Sequence, residues 1–170
     1  MATLISHVMI NPMFRRALNS LFLGAIVLLA GCSSNEPIPL IVPHSITISV
    51  GDEVNPYGGN QSHPVVLRVY QLSESGTFQK AEFIDLYKND IEVLGGTLVD
   101  VNNVPPLVPG EEHQMNLDIH RQSQYLAVFV EFANYDNAKS KDIIKLPEDN
   151  EIPLVIRVSG LSVSITEATD

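Results

Sequence analysis

Few groups in this 170-residue chain have types and spacings that could do chemistry. Asp118 and His120 lie two residues apart, which puts them on one face of a strand, and His113 is close by. That would supply two of the ligands a metal site needs. Without a third it reads as a solvated polar face. No His-Glu-x-x-His pair, phosphate-cradling glycine loop or calcium loop occurs. Ser159-Gly-Leu-Ser162 is not the Gly-x-Ser-x-Gly elbow of a hydrolase. Glu111 and Glu112 could share proton transfer, but they follow Pro109-Gly110 and read as a solvated turn. Glu131 stands inside the most apolar stretch, where an unpaired carboxylate is expensive. It must face solvent or pair with Arg68, Arg121 or Arg157, and either role is structural. No catalytic centre, metal site or cofactor site emerges, so the chain is read as a non-enzyme.

The remaining reactive group is the single thiol, Cys32. Arg15 and Arg16 precede an apolar run, Ala17 to Ala30, that is shorter than the roughly 20 residues of a membrane-spanning helix. A charged start, a short apolar core and small residues before a cleavage point make a signal peptide over residues 1–31. Its ending, Leu29-Ala30-Gly31-Cys32, resembles a bacterial lipobox, which implies a diacylglycerol on the Cys32 sulfur, cleavage before Cys32 and acylation of the new amino group. Residues 1–12 lack signal character, which makes Met13 a candidate start alongside Met1 and Met9. Ser33 follows the cysteine, rather than the Asp that commonly retains lipoproteins in the inner membrane, so the expected location is the outer membrane, facing the periplasm.

Losing Arg15 and Arg16 takes the formal net charge from −10 to −12. So acidic a chain disfavours nucleic acid and electrostatic docking on anionic lipid. Membrane attachment then rests on the acyl chains, each buried methylene contributing about 0.8 kcal/mol. With its one cysteine acylated, the domain has no disulfide and depends on its apolar core.

Residues 32–43 read as a tether, with Ser33, Ser34 and Asn35 followed by Pro37, Pro39 and Pro43. A single domain over 44–170 is expected after it. Ser45 to Val50 alternates, with Ile46, Ile48 and Val50 on one face, and Pro64 to Leu72 is a second strand with Val65, Leu67 and Val69 inward. From Phe78 to Leu94 the apolar spacing changes to three and four, which predicts one amphipathic helix or two short ones, stopped at Gly95-Gly96. β character resumes at Thr97. Asn103 to Gly110, with Pro105, Pro106 and Pro109, reads as a connection. Strands are expected over His113–Ile119, over Gln124–Phe132 as a central strand buried on both faces, and over Lys141–Leu146. Ile152 to Thr166 changes phase at Ser159-Gly160, as a bulge or a tight break between two strands would. Seven or eight short strands with one helical insertion predict a mainly β, two-sheet sandwich.

The long connection between the first two strands, Asp52 to His63, holds Asn55, Pro56, Tyr57, Gly58, Gly59, Asn60 and Gln61. Joining paired strands takes only about two to five residues. The plain alternative is a crossing between sheets. As a binding loop, Pro56 would restrict its backbone, Tyr57 would anchor the contact, and Asn55, Asn60 and Gln61 would offer uncharged hydrogen bonds.

The order of these motifs resembles the TssJ family, outer-membrane lipoproteins of type VI secretion. A first strand leads to Val54-Asn55-Pro56. Then come Pro64-Val-Val-Leu-Arg-Val-Tyr-Gln-Leu72, close to the family's Pro-Val-x-x-Arg-x-Tyr-x-Leu, and Phe78 with Ala81-Glu-Phe-Ile-Asp-Leu-Tyr87, Leu94-Gly95 and Leu107-Val-Pro-Gly110. One departure is Val130-Glu-Phe-Ala-Asn134, where the family often has Ala-x-Phe-Arg and then Trp-Arg; this chain has no Trp. The resemblance implies a transthyretin-like sandwich held at the inner leaflet of the outer membrane. It also implies binding to the periplasmic C-terminal part of TssM, an inner-membrane protein, which with TssL anchors the secretion tail. The contact it implies is the loop between the first two strands, here residues 52–63. The competing reading is a lipid-anchored periplasmic ligand-binding module unrelated to secretion. That would call for exposed aromatic platforms, which are scarce in this sequence.

Overall fold

A computed structural model describes residues 41–59, 61–147 and 152–168. The expected signal peptide, Cys32 and most of the expected tether lie outside the described residues.

Among the described residues, eight strands and two α-helices follow one another as β1 (Ile41–Val50), β2 (Val65–Leu72), α1 (Gly76–Lys80), α2 (Phe83–Leu94), β3 (Leu98–Leu107), β4 (Glu112–His120), β5 (Tyr125–Val130), β6 (Lys141–Lys145), β7 (Leu154–Ser159) and β8 (Ser162–Glu167). They form two four-stranded sheets, β4-β1-β7-β8 and β3-β2-β5-β6. β1 and β7 pair in parallel, and the other pairs are antiparallel. This is the expected mainly β sandwich with a helical insertion.

Alternation builds the core between the sheets. Ile46, Ile48 and Val50 of β1 meet Val65, Leu67 and Val69 of β2 and Leu126, Val128 and Val130 of β5. The opposite face of the second sheet is covered too. Tyr70, Leu72, Ala127 and Phe129 pack there with Phe78 of α1 and Leu86 and Leu94 of α2 in a second cluster. β5 is therefore buried on both sides, which explains its unbroken apolar run. The phase change at Ser159-Gly160 is a tight break: Ser159 pairs with Ser162 across a two-residue turn.

Two expected boundaries are corrected. β1 begins at Ile41 rather than Ser45, inside the stretch read as tether. Its first residues pair with the far end of β4, Ile41 opposite His120 and Val42 opposite Ile119. Pro43 is accommodated there opposite Asp118. The second correction is at Pro105 and Pro106, which lie within β3 instead of in a connection. β3 is an edge strand, so a residue without an N–H leaves no neighbour unbonded on its outer side. The register shifts at this point, Val65 lying opposite Leu107 and Leu67 opposite Val104. β3 thus has one more residue than β2 across the irregularity.

Gln71 closes one end of the sandwich. It is fully buried between the sheets. Its Nε2 donates to the Asp118 carbonyl at 2.8 Å, and its Oε1 accepts from the His120 N–H and the Ser123 hydroxyl, both at 2.9 Å. These bonds tie β2 of one sheet to β4 of the other, which satisfies an amide that would otherwise be costly inside. Among the described residues no helix is long and apolar enough to cross a membrane.

Candidate functional site: the loop between the first two strands

The connection from β1 to β2 leaves the other end of the sandwich. Val54 is fully buried in the main core and plugs its end. The His63 N–H donates to the Val54 carbonyl at 3.2 Å and closes the base of the loop. Above the base, the Tyr57 N–H donates to the Gln61 carbonyl at 3.1 Å, and the two residues form an isolated antiparallel bridge. Gly58 and Gly59 turn the tip with φ of 64° and 102°, a backbone that L side chains resist. The result is a miniature hairpin whose Tyr57 ring is 60% exposed. Gly58, Gly59 and Gln61 are exposed beside it, and Pro56 is half-buried. Asn60 lies outside the described residues.

Asn55 does not share this outward placement. It is 5% exposed and holds φ of 49°, the only described non-glycine residue with positive φ. Its N–H donates to the Gly160 carbonyl at 2.7 Å, its Nδ2 to the Pro64 carbonyl at 3.0 Å, and its Oδ1 accepts from the Ala133 N–H at 2.9 Å. The side chain expected to offer hydrogen bonds outward is engaged within the fold. The adjoining β3–β4 turn supports the loop as well. Gly110, at φ of 78°, lies so close that an added Cβ would sit 2.7 Å from Asp52 Oδ1.

The carboxylate question raised by Glu131 is answered by Arg68. Its Nη2 donates to Glu131 Oε1 and its Nη1 to Asp90 Oδ2, each at 2.6 Å, while the Tyr70 hydroxyl donates to the same Asp90 oxygen at 2.8 Å. Sequence reasoning named Arg68 and Glu131 but missed Asp90, whose place as partner depends on how α2 lies across the sheet. Burial pushes the Asp90 carboxyl up, but the Tyr70 and Arg68 hydrogen bonds outweigh it, leaving its pKa below the ordinary value. Burial likewise pushes the Tyr70 phenol up, and it stays protonated as a donor. The cluster fastens α2 to β2 and to Glu131, just past the end of β5.

Where α1 ends, Lys141 of β6 donates through Nζ to the carbonyls of Phe78, Gln79 and Ala81, satisfying groups a short helix leaves open. Beside it, Phe83, Phe129 and Tyr135 line a groove of about 610 Å³. The Phe83 and Tyr135 rings stack there at 4.5 Å.

Lys139 Nζ and Asp142 Oδ1 also pair among the described residues, at 3.2 Å. Among the described residues no three His, Cys, Asp or Glu side chains gather as metal ligands. Asp118 is exposed, and Glu111 accepts the Val108 N–H at 2.8 Å in its turn.

A family model described as type VI secretion lipoprotein, VasD, EvfM, TssJ matches residues 43–161. Among solved structures, the type VI lipoprotein TssJ1 from Pseudomonas aeruginosa is 24% identical, with a TM-score of 0.70 over 76% of this chain and 98% of that one. Lip from Serratia marcescens, described as a membrane-bound component of the type VI secretion system, is 23% identical, with a TM-score of 0.68 over 76% of this chain and 99% of that one. A chain of a structure described as the TssM C-terminal domain from EAEC is 18% identical, with a TM-score of 0.62 over 74% of this chain and 98% of that one. No curated protein sequence matches the chain.

Proposed function

The chain belongs to the type VI secretion lipoprotein family that includes TssJ, and from that membership we propose that it anchors the TssM-type inner-membrane component to the outer membrane. Acyl chains on Cys32 hold it in the inner leaflet, and the loop from Asp52 to His63 grips the periplasmic C-terminal domain of the partner. The observation that carries this reading is the Tyr57 ring, 60% exposed on a hairpin whose base is fixed by backbone hydrogen bonds. An exposed aromatic on a pre-shaped loop is a good contact anchor, because little conformational entropy remains to be lost on binding. A solved structure described as a type VI membrane complex, matched at a TM-score of 0.67, supports placement in such an assembly. The role is structural, without substrate, cofactor or catalysis.

The placement of the loop suits the role. β1 carries the chain from Ile41 at one end of the sandwich to Val50 at the other, about 30 Å at the usual rise of a strand. The lipid-bearing segment enters at the first end and the loop leaves from the second.

Replacing residues 56–61 by a Gly-Ser turn tests the proposal in co-purification from solubilised membranes and in direct titration with the partner's periplasmic domain. Binding should be abolished while thermal stability stays near wild type. Because the loop has few charges beyond Asp52 and Glu53, wild-type affinity should depend only modestly on salt. A folded, shortened protein that binds as tightly as wild type would place the contact elsewhere.

A further inference from the structure

We propose that Asn55 is a positioning residue for the partner loop: it touches no partner and instead clamps the hairpin that presents Tyr57. The inference rests on the reading of residues 52–63 as the contact and reassigns one of its members.

Three separate parts of the fold converge on this side chain and its N–H. Gly160 belongs to the β7–β8 turn, Ala133 follows β5, and Pro64 leads into β2. Asn55 bonds to all three at 2.7–3.0 Å, with its main-chain N–H, its Oδ1 and its Nδ2 respectively. One residue thereby joins both sheets at the loop's root. Residue type is constrained twice. The φ of 49° is a left-handed conformation that Asn tolerates far better than β-branched or bulky residues. The Ala133 N–H and the Pro64 carbonyl also require an acceptor and a donor on one short side chain, which a primary amide supplies. At 5% exposure the residue has little surface to offer a partner. Two residues onward, Tyr57 stands on the chain that leaves this clamp. Fixing Asn55 fixes the direction from which the ring departs.

The mechanism is preorganisation. Without the clamp, the partner must order the loop as it binds, and affinity falls even though every contacting side chain is still present.

The test uses the full-length chain solubilised in detergent and the partner's periplasmic domain as the probe. Asn55→Gly keeps the left-handed backbone accessible while removing both side-chain bonds. Asn55→Asp keeps the acceptor for Ala133 and loses the donor to Pro64. Hydrogen exchange at the Tyr57 N–H, which bonds to Gln61 in the closed loop, reports loop order independently of binding. Asn55→Gly should weaken affinity about tenfold and speed Tyr57 exchange, and Asn55→Asp, whose carboxylate would face the Pro64 carbonyl, should weaken affinity and speed exchange at least as much. Tyr57→Ala should weaken affinity without loosening the other loop amides. Wild-type affinity in Asn55→Gly overturns the clamp, as does a Tyr57 amide in wild type that exchanges as freely as in an unstructured peptide. Should Asn55→Gly fail to fold, Asn55→Asp and the wild-type exchange rate decide the matter in the same way. The shortened loop separates the two failures. If it too binds normally, the contact reading falls; if it alone loses binding, the contact stands and the clamp falls.

Discussion

The Arg68 guanidinium and the Asp90 carboxylate, 22 residues apart in sequence, meet at 2.6 Å between β2 and α2. The helix breaks just before this contact. Asn89 has φ of −144° and ψ of 40°, and in the next residue Asp90 Oδ1 accepts the neighbouring Ile91 N–H at 2.9 Å. The other oxygen of the carboxylate is thereby free to accept from Arg68 and Tyr70. A carboxylate whose pKa is lowered by folding stabilises the protein above its unfolded value of about 4, and that contribution is lost as the pH falls through the folded value. Thermal melts of wild type should therefore drop on acidification below about pH 4, and Asp90→Asn should show a smaller drop from a lower starting midpoint. Parallel melting curves for the two proteins would refute this assignment.

Arg68 serves two carboxylates at once, so its removal leaves both Asp90 and Glu131 without their cation. Arg68→Met should destabilise by about 1.5–3 kcal/mol, the usual scale for hydrogen bonds to charged groups. Because one cation serves both partners, adding Glu131→Gln to Arg68→Met should change stability less than it does in wild type. Chemical denaturation of the double-mutant cycle measures this, and additive effects would mean the two contacts act separately.

His44 gives a second pH window. Its imidazole is 2% exposed, and Nε2 has no hydrogen-bond partner among the described residues. Burial pushes its pKa down, so the folded state disfavours the proton. Stability should fall as the pH drops below the unfolded value of about 6.5 and continue falling toward the folded value. His44→Gln should flatten that part of the profile in thermal melts. An unchanged slope would place the titration elsewhere.

Leu67 is fully buried in the main core. Leu67→Ala should cost about 2–5 kcal/mol, read as a lower midpoint in denaturant. No change in the midpoint would mean that the inward face of β2 is wrongly assigned.

Cys32 is proposed to be acylated. A fatty-acid analogue supplied in growth medium should label wild type and leave Cys32→Ser unlabelled, with the labelled protein in the outer-membrane fraction. Label on both proteins, or wild type in the inner membrane, would count against the anchor.

The strand pattern was legible because Ile46, Ile48 and Val50, and Val65, Leu67 and Val69, face one core and repeat with period two. Pro105 and Pro106 misled because the rule that removes proline from strands does not apply at an unpaired edge, and edge position is a tertiary fact. Ile41 and Val42 were hidden for a related reason. The prolines around them suggest a tether until β4 is known to extend far enough to pair with them. Asn55 stands out in the sequence, but its direction does not. Whether the amide points outward or inward depends on Ala133, distant in sequence, whose N–H it accepts. Gln71 carries even less signal. It reads as one polar residue at the end of a strand, and only the packing of the sheets shows that it joins them.

Tether, β1 and loop are consecutive in the chain, and this has a mechanical consequence for the proposed anchor. β1 is an inner strand of its sheet, bonded to β4 on one side and β7 on the other. A pull between acyl chains on Cys32 and a partner holding Tyr57 would run along the covalent backbone of β1. The ladder bonds to β4 lie across that direction, and the load does not have to pass through them. The sandwich then acts as a splint. It would keep the hairpin in shape, while along β1 tension would be borne by peptide bonds rather than by the ladder bonds of the sheet.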